Sequence, residues 1–132
     1  MSARILIVED EMLVALELEC ILGDLGHHPI GIVPDLESAN AFFEESIDLA
    51  LVDLNLRDGL TGPEIGQRLG ARGVTVVFIT ANPRLLGQGL AGAIGVIAKP
   101  TDEGTVKAAV DYALGVRDGR QVTPPRGLKL FG

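Results

Sequence analysis

Several side chains of this chain have the types and spacing to act together. They are Glu9, Asp10 and Glu11 in "ILIVEDE", Asp53 in "LVDLN", Thr80 in "FITAN" and Lys99 in "IAKP". Each follows a short apolar run. Carboxylates gathered in one pocket repel, and each raises its neighbour's pKa. A divalent cation removes that penalty. A few hard oxygen ligands that leave room for water and phosphate suit Mg2+. A lysine adds a fixed positive charge. Metal, ammonium, hydroxyl and one further carboxylate are the equipment for phosphoryl transfer to a carboxylate, whose transition state spreads negative charge over equatorial oxygens. Asp53 is then the nucleophile and forms an acyl phosphate. Glu9, Asp10 and Asp53 hold the metal, and the backbone carbonyl of Asn55 completes the protein ligands. Glu11 is assigned to the start of the following helix, where a carboxylate gains ~0.3–1 kcal/mol from the helix dipole.

For these groups to meet, the runs before them must be neighbouring strands. Apolar runs at 4–8, 29–33, 48–53, 74–79 and 94–98 read as strands. Helical spacing intervenes at 12–25, 36–46, 62–72 and 102–116, with a short glycine-weakened helix at 85–92. Met12, Leu13, Leu16, Cys20, Ile21 and Leu25 mark the inner face of the first helix, and Cys20 is expected to be a buried thiol. Asp35 is the expected N-cap of the second helix, and Pro63 suits the first turn of the third. Five continuous apolar strands alternating with helices imply a doubly wound α/β fold. Its parallel sheet is covered by helices on both faces. A flavodoxin-like order, 2-1-3-4-5, places a crevice between strands 1 and 3, beyond their carboxyl ends. Glu9, Asp10, Asp53, Thr80 and Lys99 all lie at those ends.

The ordered set "VEDE", "LVDLN", "FITAN" and "AKP" resembles the receiver domain of two-component response regulators over about residues 3–117. The stretch "ITANPRLLGQG" and the loop "LRDGLTG" are similar to receivers of general-stress-response regulators and related single-domain regulators. The resemblance implies a phosphorelay component, with Asp53 phosphorylated by a histidine kinase or phosphotransfer protein. It implies that the Thr80 hydroxyl moves onto the phosphoryl group, that Lys99 pairs with it, and that the Lys99–Pro100 bond is cis. It also implies a downstream protein target and the option of a homodimer through the fourth helix, fifth strand and fifth helix. Two positions depart from the family pattern. Val96 stands where many receivers carry an aromatic, three residues before the lysine, and Arg57 stands where a proline is frequent. Asn55 and Asn82 occupy positions that tune dephosphorylation in the family.

Composition limits the remaining options. The chain has 132 residues, one domain's length, and 47% of them are hydrophobic, which excludes a disordered chain. A net charge of −7 with no Lys/Arg stripe argues against direct nucleic-acid binding. No apolar run reaches the ~18 residues of a membrane span, and no signal peptide is recognisable, so a cytoplasmic protein is expected. His27 and His28 read as loop residues, and Arg57 and Asp58 as solvated. Residues 1–117 form the expected receiver. Residues 118–132, rich in Pro, Gly and Arg, are too short for an output domain. They are either a disordered tail or a segment whose "GLKLF" docks on its own domain or on a partner kinase. Other functions stay open at this level: a phosphate sink for a shared kinase, a pseudo-receiver that only binds protein, or an FMN carrier. The last would need a Ser/Thr/Gly-rich phosphate loop after the first strand, where carboxylates stand instead.

Overall fold

The computed structural model describes residues 2–87, 89 and 92–131. Strands β1 (Arg4–Val8), β2 (His28–Val33), β3 (Leu49–Val52), β4 (Thr75–Thr80) and β5 (Ala93–Ala98) form the parallel sheet in the order 2-1-3-4-5, as expected. A sixth strand, β6 (Leu128–Leu130), adds to it, running antiparallel on the outer edge of β5. The strands alternate their apolar side chains between two cores. Ile5, Ile7, Leu49, Leu51, Val77 and Ile79 face helices α1 (Met12–Asp24) and α4 (Glu103–Arg117). Leu6, Val8, Ala50, Val52, Val76 and Phe78 face α2 (Leu36–Ala39) and α3 (Gly62–Ala71). Because both faces are covered, the strands carry no polar alternation.

Several local expectations change. The buried face of α1 is Ala15, Leu18, Ile21 and Leu22. Met12, Leu13 and Leu16 are exposed, and so is Cys20, which is therefore not a core thiol. Of the expected face, Ile21 is buried and Leu25 packs against the core; the run "MLVALELECIL" offers a second apolar stripe, and packing selected its Ala15, Leu18 and Leu22. Asp35 caps α2, its Oδ1 accepting from Ser38 N at 2.8 Å, but the helix ends at Ala39 in a 3-10 turn, Asn40–Phe42. The helix expected over 85–92 is not found among the described residues. A 3-10 turn at Pro83–Leu86 takes its first two residues, and Gly87, Gly89 and Gly92 all have positive φ. Such a backbone cannot continue a right-handed helix. Residues 88, 90 and 91 lie outside the described residues. The face named for a possible homodimer is thus altered twice, by this loop and by β6 on the β5 edge. No helix among the described residues is long and apolar enough to cross a membrane.

Candidate functional site

Register brings the site together. Val8 and Val52 are partners across β1 and β3, so Glu9 and Asp53 leave adjacent strands side by side. Asp53 N donates to Val8 O at 2.9 Å, which fixes the height at which the side chain emerges. Thr80 pairs with Ala98, and Lys99 N donates to Thr80 O at 2.8 Å. From the end of β5, Lys99 reaches back across β4. Its Nζ lies 2.8 Å from Glu9 Oε1, 2.9 Å from Asp53 Oδ2 and 3.4 Å from Glu11 Oε1. The Lys99–Pro100 bond is cis.

The carboxylates close around this ammonium. One oxygen from each of Glu9, Asp10, Glu11 and Asp53 lies within 4.8 Å of the others. Glu9 and Asp53 are buried, at 2% and 6% exposure, whereas Asp10 and Glu11 open to solvent. The set is buried at its base and wet at its mouth, and every ligand is a hard oxygen, which fits a small divalent cation. Burial pushes the Glu9 carboxyl above its ordinary value. The Lys99 and Glu11-amide hydrogen bonds oppose the rise, and the Asp53 charge adds to it. Burial also works against the Lys99 charge, but its hydrogen bonds to Glu9 and Asp53 outweigh it and hold the lysine above its usual range.

Glu11 meets its sequence assignment in part. It stands at the N-cap position of α1, but its side chain makes no capping hydrogen bond and joins the acidic cluster instead. Its amide donates to Glu9 Oε2 at 3.2 Å. Thr80 is buried at the end of β4, and its hydroxyl accepts from Asn82 N at 3.1 Å. Asn55 is exposed in the loop after Asp53. Val96 is buried in the second core with Phe78 and Leu86.

Two supports of the site were missed by residue-type reasoning. Arg57 and Asp58 are exposed, as expected, but each is held by specific partners. The Arg57 guanidinium pairs with Asp35, with Nε at 3.1 Å from Asp35 Oδ2, and its amide donates to Pro34 O at 3.1 Å. Asp58 accepts from Leu36 N at 3.1 Å and from the Thr61 hydroxyl. The loop after Asp53 is thereby clamped to the turn after β2. The second support is Gly62. A Cβ there would stand 2.0 Å from Asp53 O and 2.5 Å from Leu54 Cα, so only glycine lets α3 start against the backbone of Asp53. Glycine and aspartate at turn spacing were the available signals, but neither names its partner.

Comparison with known proteins places this geometry. The chain matches the response regulator receiver domain family over residues 5–111. It is 38% identical over 119 residues to the phyllosphere-induced regulator PhyR of Methylorubrum extorquens, a match covering 86% of this chain and 44% of that protein. The chain therefore spans less than half of that curated relative. Among solved structures, the receiver domain of Erythrobacter litoralis PhyR is 32% identical with a TM-score of 0.78, covering 92% of this chain and 97% of the other. Brucella abortus PhyR is 31% identical with a TM-score of 0.80, over 90% and 50%. The anti-anti-sigma factor PhyR of Bartonella quintana is 26% identical with a TM-score of 0.76, over 90% and 50%.

Proposed function

The chain belongs to the response regulator receiver domain family, and from that premise we propose that it accepts a phosphoryl group on Asp53 from a histidine kinase or phosphotransfer protein and signals by a phosphorylation-dependent protein contact. The observation that carries the reading is the position of Lys99 Nζ, within 2.9 Å of both Glu9 and Asp53. A pseudo-receiver would have no use for that arrangement.

A carboxylate oxygen of Asp53 attacks the phosphorus of a phosphohistidine. The new O–P bond gives the acyl phosphate, and the P–N bond breaks. Its electron pair returns to the donor imidazole. Lys99 keeps its pairing with the Asp53 side and balances the charge that develops on the phosphoryl oxygens. The Thr80 hydroxyl leaves the Asn82 amide and donates to one of those oxygens. Mg2+, held by Glu9, Asp10, Asp53 and the Asn55 carbonyl, would offset the carboxylate crowding and polarise the phosphoryl group. Asp10 and Glu11 at the mouth leave the approach open to a donor.

A docking surface for that donor adjoins the site. A groove of about 350 Å³ between α1 and α4 is lined by Val14, Leu18, Ile79, Lys99, Pro100 and Val106, and the exposed Leu13 and Leu16 lie nearby on α1. The downstream target is a protein, in keeping with the anti-anti-sigma role named for the Bartonella relative, of which this chain matches about half. On this reading the chain works in the cytoplasm. The test is incubation with Mg2+ and acetyl phosphate, followed by intact mass measurement. The expected result is the gain of one phosphoryl group, absent in Asp53→Ala. No gain from this donor or from any histidine kinase sinks the reading.

A further inference from the structure

Residues 128–131 are built onto the edge of the sheet. β6 pairs with β5 through Gly95↔Leu130, Val96↔Lys129 and Ile97↔Leu128, and Phe131 N donates to Ile94 O at 3.0 Å. Leu128 is buried in the core shared with α1 and α4, while Phe131 packs against the other core, which includes Val96 and Leu86. The strand thus holds on to both faces of the sheet. Backbone is cleared for it on three sides. A Cβ on Gly95 would stand 2.4 Å from Lys129 O, one on Gly127 2.2 Å from Thr105 Cγ2, and one on Gly89 2.3 Å from the Phe131 ring.

Phe131 lies at the end of a short path from the site. Thr80 Oγ1 holds Asn82 N, Asn82 opens the turn Pro83–Leu86, and Gly89 N donates to Leu86 O. Gly89 is the residue against which the Phe131 ring closes. If Thr80 turns to a phosphoryl group, the first of these bonds is lost and the turn beneath Phe131 is free to shift.

We propose that Leu128–Phe131 is a detachable strap, and that phosphorylation releases it and opens the β5 edge to an incoming strand. The occupant of the opened edge is an extended partner segment of the strap's own chemistry: apolar side chains at alternate positions followed by an aromatic. An open strand edge offers a row of unpaired N–H and C=O groups, which such a segment satisfies by strand addition. The strap is the tethered competitor. Its high effective concentration keeps the edge closed until the site acts. This rests on the reading of Asp53 as phosphoacceptor.

The full chain with Mg2+ and acetyl phosphate tests it. Intact mass reports phosphorylation, and trypsin cleavage after Arg126 and Lys129 reports release of the strap. A fluorescent peptide of residues 126–131 reports the open edge. Phosphorylation is expected to speed cleavage and tighten peptide binding by about tenfold each, within the range of ordinary allosteric coupling. Phe131→Ala should be cleaved at the fast rate without phosphorylation. A phosphoryl mass gain with unchanged cleavage overturns the strap and leaves the phosphoacceptor reading intact. Faster cleavage without tighter peptide binding overturns the edge as a docking site. Absence of any mass gain overturns the phosphoacceptor reading and the strap with it.

Discussion

Replacing Lys99 by Met tests what holds the carboxylates together. The substitution keeps the length of the stem and removes the charge. Glu9 and Asp53, whose side chains are 2% and 8% exposed, then face each other without the ammonium that bonds both. Breaking a sealed ion pair costs ~3–5 kcal/mol, because a buried charge is left uncompensated. An exposed pair is worth only ~0–1 kcal/mol. The Lys99 side chain is 15% exposed, and Asp10 and Glu11 let water into the mouth, so the loss belongs between these limits, at about 2–3 kcal/mol near neutral pH without metal.

The pH dependence has a definite sign. Burial already raises the Glu9 carboxyl, so its charged form is disfavoured by folding and the penalty lies above its folded pKa. Without Lys99 the carboxyl rises further. The variant should therefore regain stability as pH falls from neutrality through that further raised value, where Glu9 takes up a proton. In the native chain the Lys99 contribution is fully present below the ordinary lysine pKa and is lost only as pH rises through the raised folded value. Urea unfolding in a chelating buffer at neutral and mildly acid pH measures both. A loss that is equal at the two pH values, or smaller than about 0.5 kcal/mol at neutrality, refutes the argument from uncompensated burial.

Two further perturbations separate the supports from the chemistry. Gly62→Ala should cost about 1–3 kcal/mol in urea unfolding, as overpacking does, and should slow phosphoryl uptake from acetyl phosphate, because the added Cβ displaces the Asp53 carbonyl. Its control is Gly23→Ala in α1, where a Cβ meets nothing within 4 Å and a gain of about 0.5–1 kcal/mol is expected. Asp35 is lowered to about 2 by its hydrogen bonds to Ser38 and then by Arg57. Its contribution to stability is present above the unfolded value of about 3.9 and fades as pH falls toward 2. Asp35→Asn should flatten the acid limb of a plot of urea midpoint against pH, and an unchanged limb would show that the clamp adds nothing.

Much of the site was legible because the features that build it are local. A buried parallel strand is a continuous apolar run, and the residue that ends it must emerge at the carboxyl edge of the sheet. Once "RILIV", "LALV", "TVVFIT" and "AIGVIA" are strands, the positions of Glu9, Asp53, Thr80 and Lys99 follow from topology. What escaped depends on partners far along the chain. Arg57 is a charged loop residue until Asp35, 22 residues earlier, is folded beside it. Gly62 is a turn glycine until the backbone of Asp53 presses on it. The face of α1 could not be chosen because two stripes of that helix are apolar, and only the sheet decides between them.

The sixth strand shows the same limit most sharply. Leu128–Leu130 is three residues long, follows a Pro- and Gly-rich segment, and carries an exposed lysine at its centre. Nothing in so short a stretch distinguishes a strand from a tail, because periodicity needs more residues than it has. Its conformation is imposed by the open edge of β5 and by Gly95, which lets the two backbones approach. An element stabilised by its docking site rather than by its own propensity is the kind that one altered contact can release. The weak sequence signal and the proposed detachment of the strap thus have one physical origin.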